Sequence, residues 1–269
     1  MSQEKQIILC ADDYGLNPNI SQGIRQLVAM QRLSAVSCMV NVADLALQAQ
    51  QLLALQAEID IGLHFNLTEG QFVAHGNKSM PSLMSLLLRS QFRLLSAESI
   101  EQELNAQLDK FEQAFGRLPD FIDGHQHVHH LPIVRKVLLK VYQRRLKQNG
   151  SYIRCVFPSL VSNQKLKAWV LTLTGAYRFK RLLLQQQIPH NACFGGIYDF
   201  SEQSNYPSLV RNFLAQAPNG SLMMCHPGLQ STDSIAKARL AEYAYLSGES
   251  FQQDCEQYQV RLCRYQALE

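Results

Sequence analysis

The strongest constraint in this chain is an alternation. Short apolar runs of β type are followed, again and again, by longer segments with helical periodicity. The runs at 6–11, 35–40, 59–63, 120–123, 152–157, 193–198 and 221–225 read as strands. The segments at about 19–30, 44–56, 97–115, 132–148, 207–217 and 235–246 read as helices. The strand runs lack polar alternation, as expected of strands buried on both faces of a parallel sheet. Six or seven such units favour an α/β fold of parallel strands closed into a complete or distorted (β/α) barrel; an open doubly wound sheet is the alternative. The chain has 269 residues, and a barrel of this kind commonly uses about 250 as one domain. Residues 1–269 are therefore read as a single domain, with a helical insertion around 159–192, where no strand is legible. Residues 70–96 read as a loop.

Composition narrows the function classes. Hydrophobic residues make up 46% and charged residues 17%, with a formal net charge of +3. That excludes a disordered chain and argues against a nucleic-acid binder. The seven cysteines are scattered, without a CxxC pair, and several lie inside apolar runs. They read as reduced core thiols of a cytoplasmic protein. No secretory leader and no run of about 18 apolar residues is legible, so no integral membrane segment is expected. Arg135, Lys136, Lys140, Arg144, Arg145 and Lys147 share one predicted helix, and they read as its solvated face.

The hard-to-bury residues fall at one place in each unit. Asp12 and Asp13 follow the first strand, and His64 follows the third. Asp123 and His125 end the fourth, Arg154 lies at the fifth, and His226 follows the run 221–225. Each has a plain reading: a helix cap for the aspartates, a core histidine for His64, a turn for His226, a surface loop for the histidine tract 125–130. Taken together they occupy the carboxyl ends of the strands, where parallel α/β folds gather their active sites. One carboxylate and two imidazoles meet the need of a catalytic metal for three protein ligands and an open position. The mixed donor set suits zinc or magnesium. A second carboxylate beside the ion is placed for a general base, and a histidine across the pocket for a general acid.

Four stretches then resemble one family. They are Ala11-Asp12-Asp13-Tyr14-Gly15, Gly62-Leu63-His64-Phe65-Asn66-Leu67-Thr68-Glu69-Gly70, Asp123-Gly124-His125-Gln126-His127-Val128-His129 and Met224-Cys225-His226-Pro227-Gly228. In this order they resemble the YdjC-like carbohydrate deacetylases. The resemblance implies a barrel-like fold related to the polysaccharide deacetylases. It also implies metal-dependent hydrolysis of an N-acetyl group from an amino-sugar substrate, an oligosaccharide or a glycoconjugate, with release of acetate. On it, Asp13, His64 and His125 are the ligands of one divalent ion. Asp12 is the general base, and His226 the general acid. Asp123, His127, His129 and Arg154 stand at the substrate or behind the ligands. Homodimerisation is a family-level expectation. The alternatives are another metal-dependent hydrolase on a similar barrel, such as a phosphoesterase, and a non-catalytic sugar-binding relative.

Overall fold

The computed structural model describes residues 4–76, 78–157 and 174–265. The strands are β1 (Lys5–Tyr14), β2 (Ala35–Cys38), β3 (Asp60–Phe65), β4 (Phe121–Gly124), β5 (Tyr152–Ile153), β6 (Phe194–Gly195), β7 (Ser221–Cys225) and β8 (Val260–Leu262). All the ladders are parallel. The sheet runs β5-β4-β3-β2-β1-β7-β6, and β8 pairs with the first residues of β1. The helices are α1 (Pro18–Ala29), α2 (Leu45–Leu53), α3 (Leu83–Gln91), α4 (Ala97–Phe115), α5 (Val134–Val141), α6 (Ala176–Gln185), α7 (Tyr206–Gln216), α8 (Ala236–Ser247) and α9 (Glu249–Gln257).

Local chemistry explains the boundaries that were legible. In α1, Asn17 caps the first turn with its side chain and Pro18 opens the helix. In α4, Ser96 caps the start and Gly116, at φ 69°, ends it; the observed limits match the expected 97–115. Other boundaries moved. The strand expected at 6–11 runs on to Tyr14, and those expected at 152–157 and 193–198 shrink to two residues each. The helix expected at 132–148 is α only to Val141, then passes through a π turn and a 3-10 turn. The supposed loop 70–96 contains α3, and α9 and β8 were not anticipated. Part of the expected insertion, 159–173, lies outside the described residues; its later part holds α6.

The basic face of 135–147 is not simply solvated. Lys140 and Arg144 pair with Glu101, and Arg145 with Asp109 and Glu112, all on α4. Arg135 is buried and donates to the His130 carbonyl. The exposed pairs are worth little individually, but they engage three of the six basic residues, Lys140, Arg144 and Arg145.

The period of two along each strand sorts the core. Ile7, Leu9, Ala11, Val36, Ile61, Leu63, Ile122 and Met223 face the helices in one large cluster. Ile8, Cys10, Ala35, Phe121, Tyr152, Phe194, Leu222 and Met224 form a second cluster on the concave side. Gly62 belongs to that inner face, and a Cβ there would lie 2.4 Å from the Phe121 ring. At the amino end of the strands Tyr265 stacks on Tyr152, which stacks on Phe121.

Curling leaves a seam between β5 and β6, which share no ladder among the described residues. One side chain bridges it. Asn191 accepts from the Cys155 N–H (2.8 Å) and donates to the carbonyls of Cys155 (3.0 Å) and Cys193 (2.8 Å). A buried amide thus does the work of a missing strand pair. Asn191→Ala strands these buried backbone groups, at about 1–3 kcal/mol for each group left unsatisfied. Urea unfolding is expected to show at least that loss; an unchanged midpoint and slope would show that the seam is held by other contacts.

Candidate metal centre

The polar rim is one layer above the inner apolar core. Asp12, Ser37, His64, Asp123, Arg154 and His226 each stand two residues after an inward-facing Cys10, Ala35, Gly62, Phe121, Tyr152 or Met224. The ladder register places them side by side in two sets of three: Cys10 is opposite both Ala35 and Met224, while Gly62 is opposite Phe121 and Phe121 opposite Tyr152. Because Ser37 is opposite Gly62, the inward period turns polar at one height on β7, β1 and β2 and two residues further along on β3, β4 and β5.

Asp13 breaks the period. By alternation it would face the helices. Instead the β1–β2 register shifts between Ala11 and Tyr14, and Asp13 adopts φ 68°. This bulge re-aims its carboxylate to the rim beside that of Asp12. Aspartate tolerates the left-handed region better than bulky residues do. Both aspartates are thus within β1, not after it as the sequence suggested.

Asp13, His64 and His125 converge, with one ligand atom from each lying within 4.8 Å of the others. Asp13 Oδ1 is 2.9 Å from His125 Nδ1 and 3.4 Å from His64 Nε2. The other ring nitrogen of His64 is held from behind: Asp123 Oδ1 lies 2.7 Å from Nδ1, and Ser37 Oγ bridges the two at 2.6 and 2.9 Å. A carboxylate behind an imidazole is the usual device for orienting a metal-binding histidine. His125 enters from the turn after β4, where Gln126 and His127 both have left-handed φ. Gly124 permits the turn, since a Cβ there would come within 2.9 Å of the His129 backbone nitrogen.

Each aspartate has its own arginine. Arg154, fully buried, grips Asp12 with two nitrogens at 2.6 and 2.7 Å and also reaches Asp123 at 2.6 Å. Burial alone would raise the Asp12 carboxyl, but the Arg154 guanidinium outweighs it and holds the carboxyl well below its ordinary range. Asp13 is likewise depressed against the push of burial, by His125, His64 and Arg239. Arg239 Nη2 donates to Asp13 Oδ2 at 2.7 Å. Despite burial, the carboxylates of Asp123 and Asp12 raise His64 to about 10. A second group of donor atoms, Cys10, Asp12 and Asp123, already surrounds a cation, the guanidinium of Arg154.

His226 stands across the site with Nε2 3.9 Å from Asp12 Oδ2 and its ring edge-on to Phe200. Burial lowers it to about 4, and its Nδ1 is buried without a hydrogen bond. Its backbone N–H donates to Glu242, which burial raises to about 7. His127 lines the cleft and meets Phe194 edge-on. His129 does not line it; its Nε2 bonds the Arg154 carbonyl at 3.0 Å and supports that residue from beneath. The cleft above the site measures about 680 Å³. Its walls include Leu83, Leu87, Leu131, Ile197, Phe200 and Ile235.

Sequence reasoning missed Ser37, Arg239, Glu242 and Asp233. Ser37 carried no signal within a short apolar strand. Arg239 and Glu242 did: at three- and four-residue spacing they fall on the same α8 stripe as Ala238, Tyr245 and Leu246, all buried. Charges on the core stripe of a helix point to partners inside.

A family model described as YdjC-like protein matches residues 6–257. A chitooligosaccharide deacetylase of Yersinia enterocolitica is 26% identical over 284 residues, covering 97% of this chain and 98% of that protein. Carbohydrate deacetylases of Mus musculus and Homo sapiens are each 34% identical over 148 residues, 51% of this chain. The matched stretch spans about half their length, 47% and 45%. Among solved structures, one described as a cellobiose-phosphate cleavage protein from Enterococcus faecalis V583 superposes with TM-score 0.75 at 18% identity, covering 98% of this chain and 99% of that one. A peptidoglycan N-acetylglucosamine deacetylase superposes with TM-score 0.53 at 11% identity, covering 99% and 88%. At such identities the likeness is one of fold. No helix among the described residues is long and apolar enough to cross a membrane.

The histidine tract has a consequence for stability. His130 is buried between the His127 carbonyl and Thr174 Oγ1, and burial lowers it from 6.5 to about 4. The unfolded chain takes up this proton below about pH 6.5 and the native state only near pH 4. The contribution is therefore present above 6.5 and lost as pH falls through 4. Relative to His130→Gln, the wild type is expected to lose stability between pH 6.5 and 4 in urea titrations. Parallel profiles for the two proteins would refute a neutral buried His130.

Proposed function

Because the chain belongs to the YdjC-like protein family, we propose that it is a metal-dependent carbohydrate deacetylase that hydrolyses the N-acetyl group of an amino-sugar substrate. One observation carries the reading: Asp13, His64 and His125 converge at the rim with an ionised carboxylate, Asp12, as immediate neighbour. Similarity to the Yersinia chitooligosaccharide deacetylase over nearly the whole chain supports the substrate class.

The residues fit a divalent cation. Three donors of mixed N/O type lie within 4.8 Å, and the back of His64 is fixed by Asp123 and Ser37. The second cluster is filled by Arg154, so these residues seat one ion and not the pair typical of phosphoesterases. Magnesium or zinc held by Asp13, His64 and His125 would supply Lewis acidity toward the acetyl carbonyl and acidify a water.

The remaining work falls to this chain's own side chains. Asp12, ionised and fixed in orientation by the Arg154 fork, accepts the proton of the attacking water. Arg154 also makes Asp12 a weak base, so the proton is not retained. His226, neutral and with Nε2 3.9 Å from Asp12 Oδ2, is placed to carry a proton to the leaving amine. The cleft walls exclude bulk water and receive the sugar. The buried thiols, all free, suit a reducing compartment.

Acetate release from N,N′-diacetylchitobiose tests the reading. Asp12→Asn is expected to lower kcat by about 10²–10⁴-fold while retaining metal. His125→Ala is expected to lose both metal and activity. Chelation is expected to abolish turnover, and added zinc or magnesium to restore it. Near-native rates in both variants, on a substrate the wild type cleaves, would reject these roles.

A further inference from the structure

Helix α8 brings two charges into the protein interior one turn apart, Arg239 and Glu242, 2% and 0% exposed. Buried charges are costly unless partnered, so their partners indicate what they are for. Glu242 accepts from the His226 N–H and the Tyr198 hydroxyl. Arg239 Nη1 reaches the carbonyl of the same His226 at 3.4 Å. One turn of helix thus holds both ends of the His226 residue. The two other nitrogens of Arg239 each meet a carboxylate at 2.7 Å: Nη2 that of Asp13 and Nε that of Asp233. Asp233 stands on the lip of the cleft.

The division of Asp13 is the informative part. Its Oδ1 faces His64 and His125, and its Oδ2 is taken by Arg239. We infer that Arg239 is a positioning residue of the metal centre: anchored by Asp233, it holds one oxygen of Asp13 so that only the other faces the two histidines. The inference rests on the metal-centre reading above. Two effects oppose each other. A guanidinium beside a ligand repels an incoming cation, but Asp233 neutralises this one at contact distance. What is left is orientation. Loss of a group behind a ligand typically costs 10–100-fold in metal affinity.

The test is zinc affinity, measured by titrating zinc chloride alone into metal-free protein against a chromophoric chelator. It is run at a temperature where circular dichroism shows each variant folded. Wild type is expected to bind one ion and His125→Ala to lose it; if wild type binds none, the metal-centre reading itself fails. Arg239→Gln is expected to bind zinc about 10–100-fold more weakly. Asp233→Asn, at a partly exposed position, is expected to weaken binding several-fold with an unchanged thermal midpoint. If Arg239→Gln does not fold, Asp233→Asn alone decides. Zinc affinities within about twofold of a wild type that does bind zinc, in every variant that folds, would overturn the assignment of Arg239.

Discussion

Two adjacent carboxylates, Asp12 and Asp13, are buried at the end of β1 with almost no access to water, and the rim is built around making that tolerable. Ionised neighbours in a low-dielectric site repel each other and lack hydration. Here each is clasped by an arginine from a different part of the chain, Arg154 after β5 and Arg239 on α8. The two guanidiniums hold the pair apart in role as well as in space. Asp12 is committed to Arg154 and stands open to the cleft. Asp13 is committed through one oxygen to Arg239 and through the other to the histidines. The bulge at Asp13 is the backbone condition for all of this, since a regular strand would send the two side chains to opposite faces.

The barrel supplies the other half of the design. On six strands its inner face is apolar and then polar two residues later, with a two-residue step in register between β2 and β3. Packed Phe121, Tyr152 and Tyr265 close the amino end, so the polar layer opens only toward the cleft. Asp123 shows how few groups this takes. One carboxylate orients His64, receives Ser37 and pairs with Arg154, joining the ligand side of the site to the Asp12 side. The closing seam follows from the same economy: β5 and β6 share no ladder among the described residues, and the buried Asn191 amide satisfies backbone groups of Cys155 and Cys193 on its two sides.

How much was legible depended on where the information lay. Strand runs such as 221–225 and the capped helix 97–115 could be read because apolar periodicity and cap residues are local. Strand ends could not, because β5 and β6 are ended by the seam. The basic segment 135–147 is solvated at Lys136, Lys140, Arg144 and Lys147, as read, but its acidic partners on α4 were not legible because they are distant in sequence. His129 was expected near the substrate or behind the ligands. It does not line the cleft: its Nε2 bonds the Arg154 carbonyl and its ring meets Phe179 edge-on. Alternation along a single strand says nothing about a turn made by two consecutive left-handed residues.

The sequence by itself determined the repeated strand–helix order, the buried character of the strands, and the carboxyl-end positions of Asp12, Asp13, His64, Asp123, His125, Arg154 and His226. Those follow from hydrophobic periodicity and from where charged residues interrupt it. Only the tertiary structure decided that Asp13 turns inward, that Arg154 and not a metal occupies the space between Asp12 and Asp123, and that Arg239 reaches Asp13. Each of these depends on a contact between residues far apart in sequence, as Arg154 with Asp12 and Arg239 with Asp13, or on a bulge seen as a register shift against the neighbouring strand. No local pattern encodes such a contact until the sheet has curled and brought the partners within bonding distance.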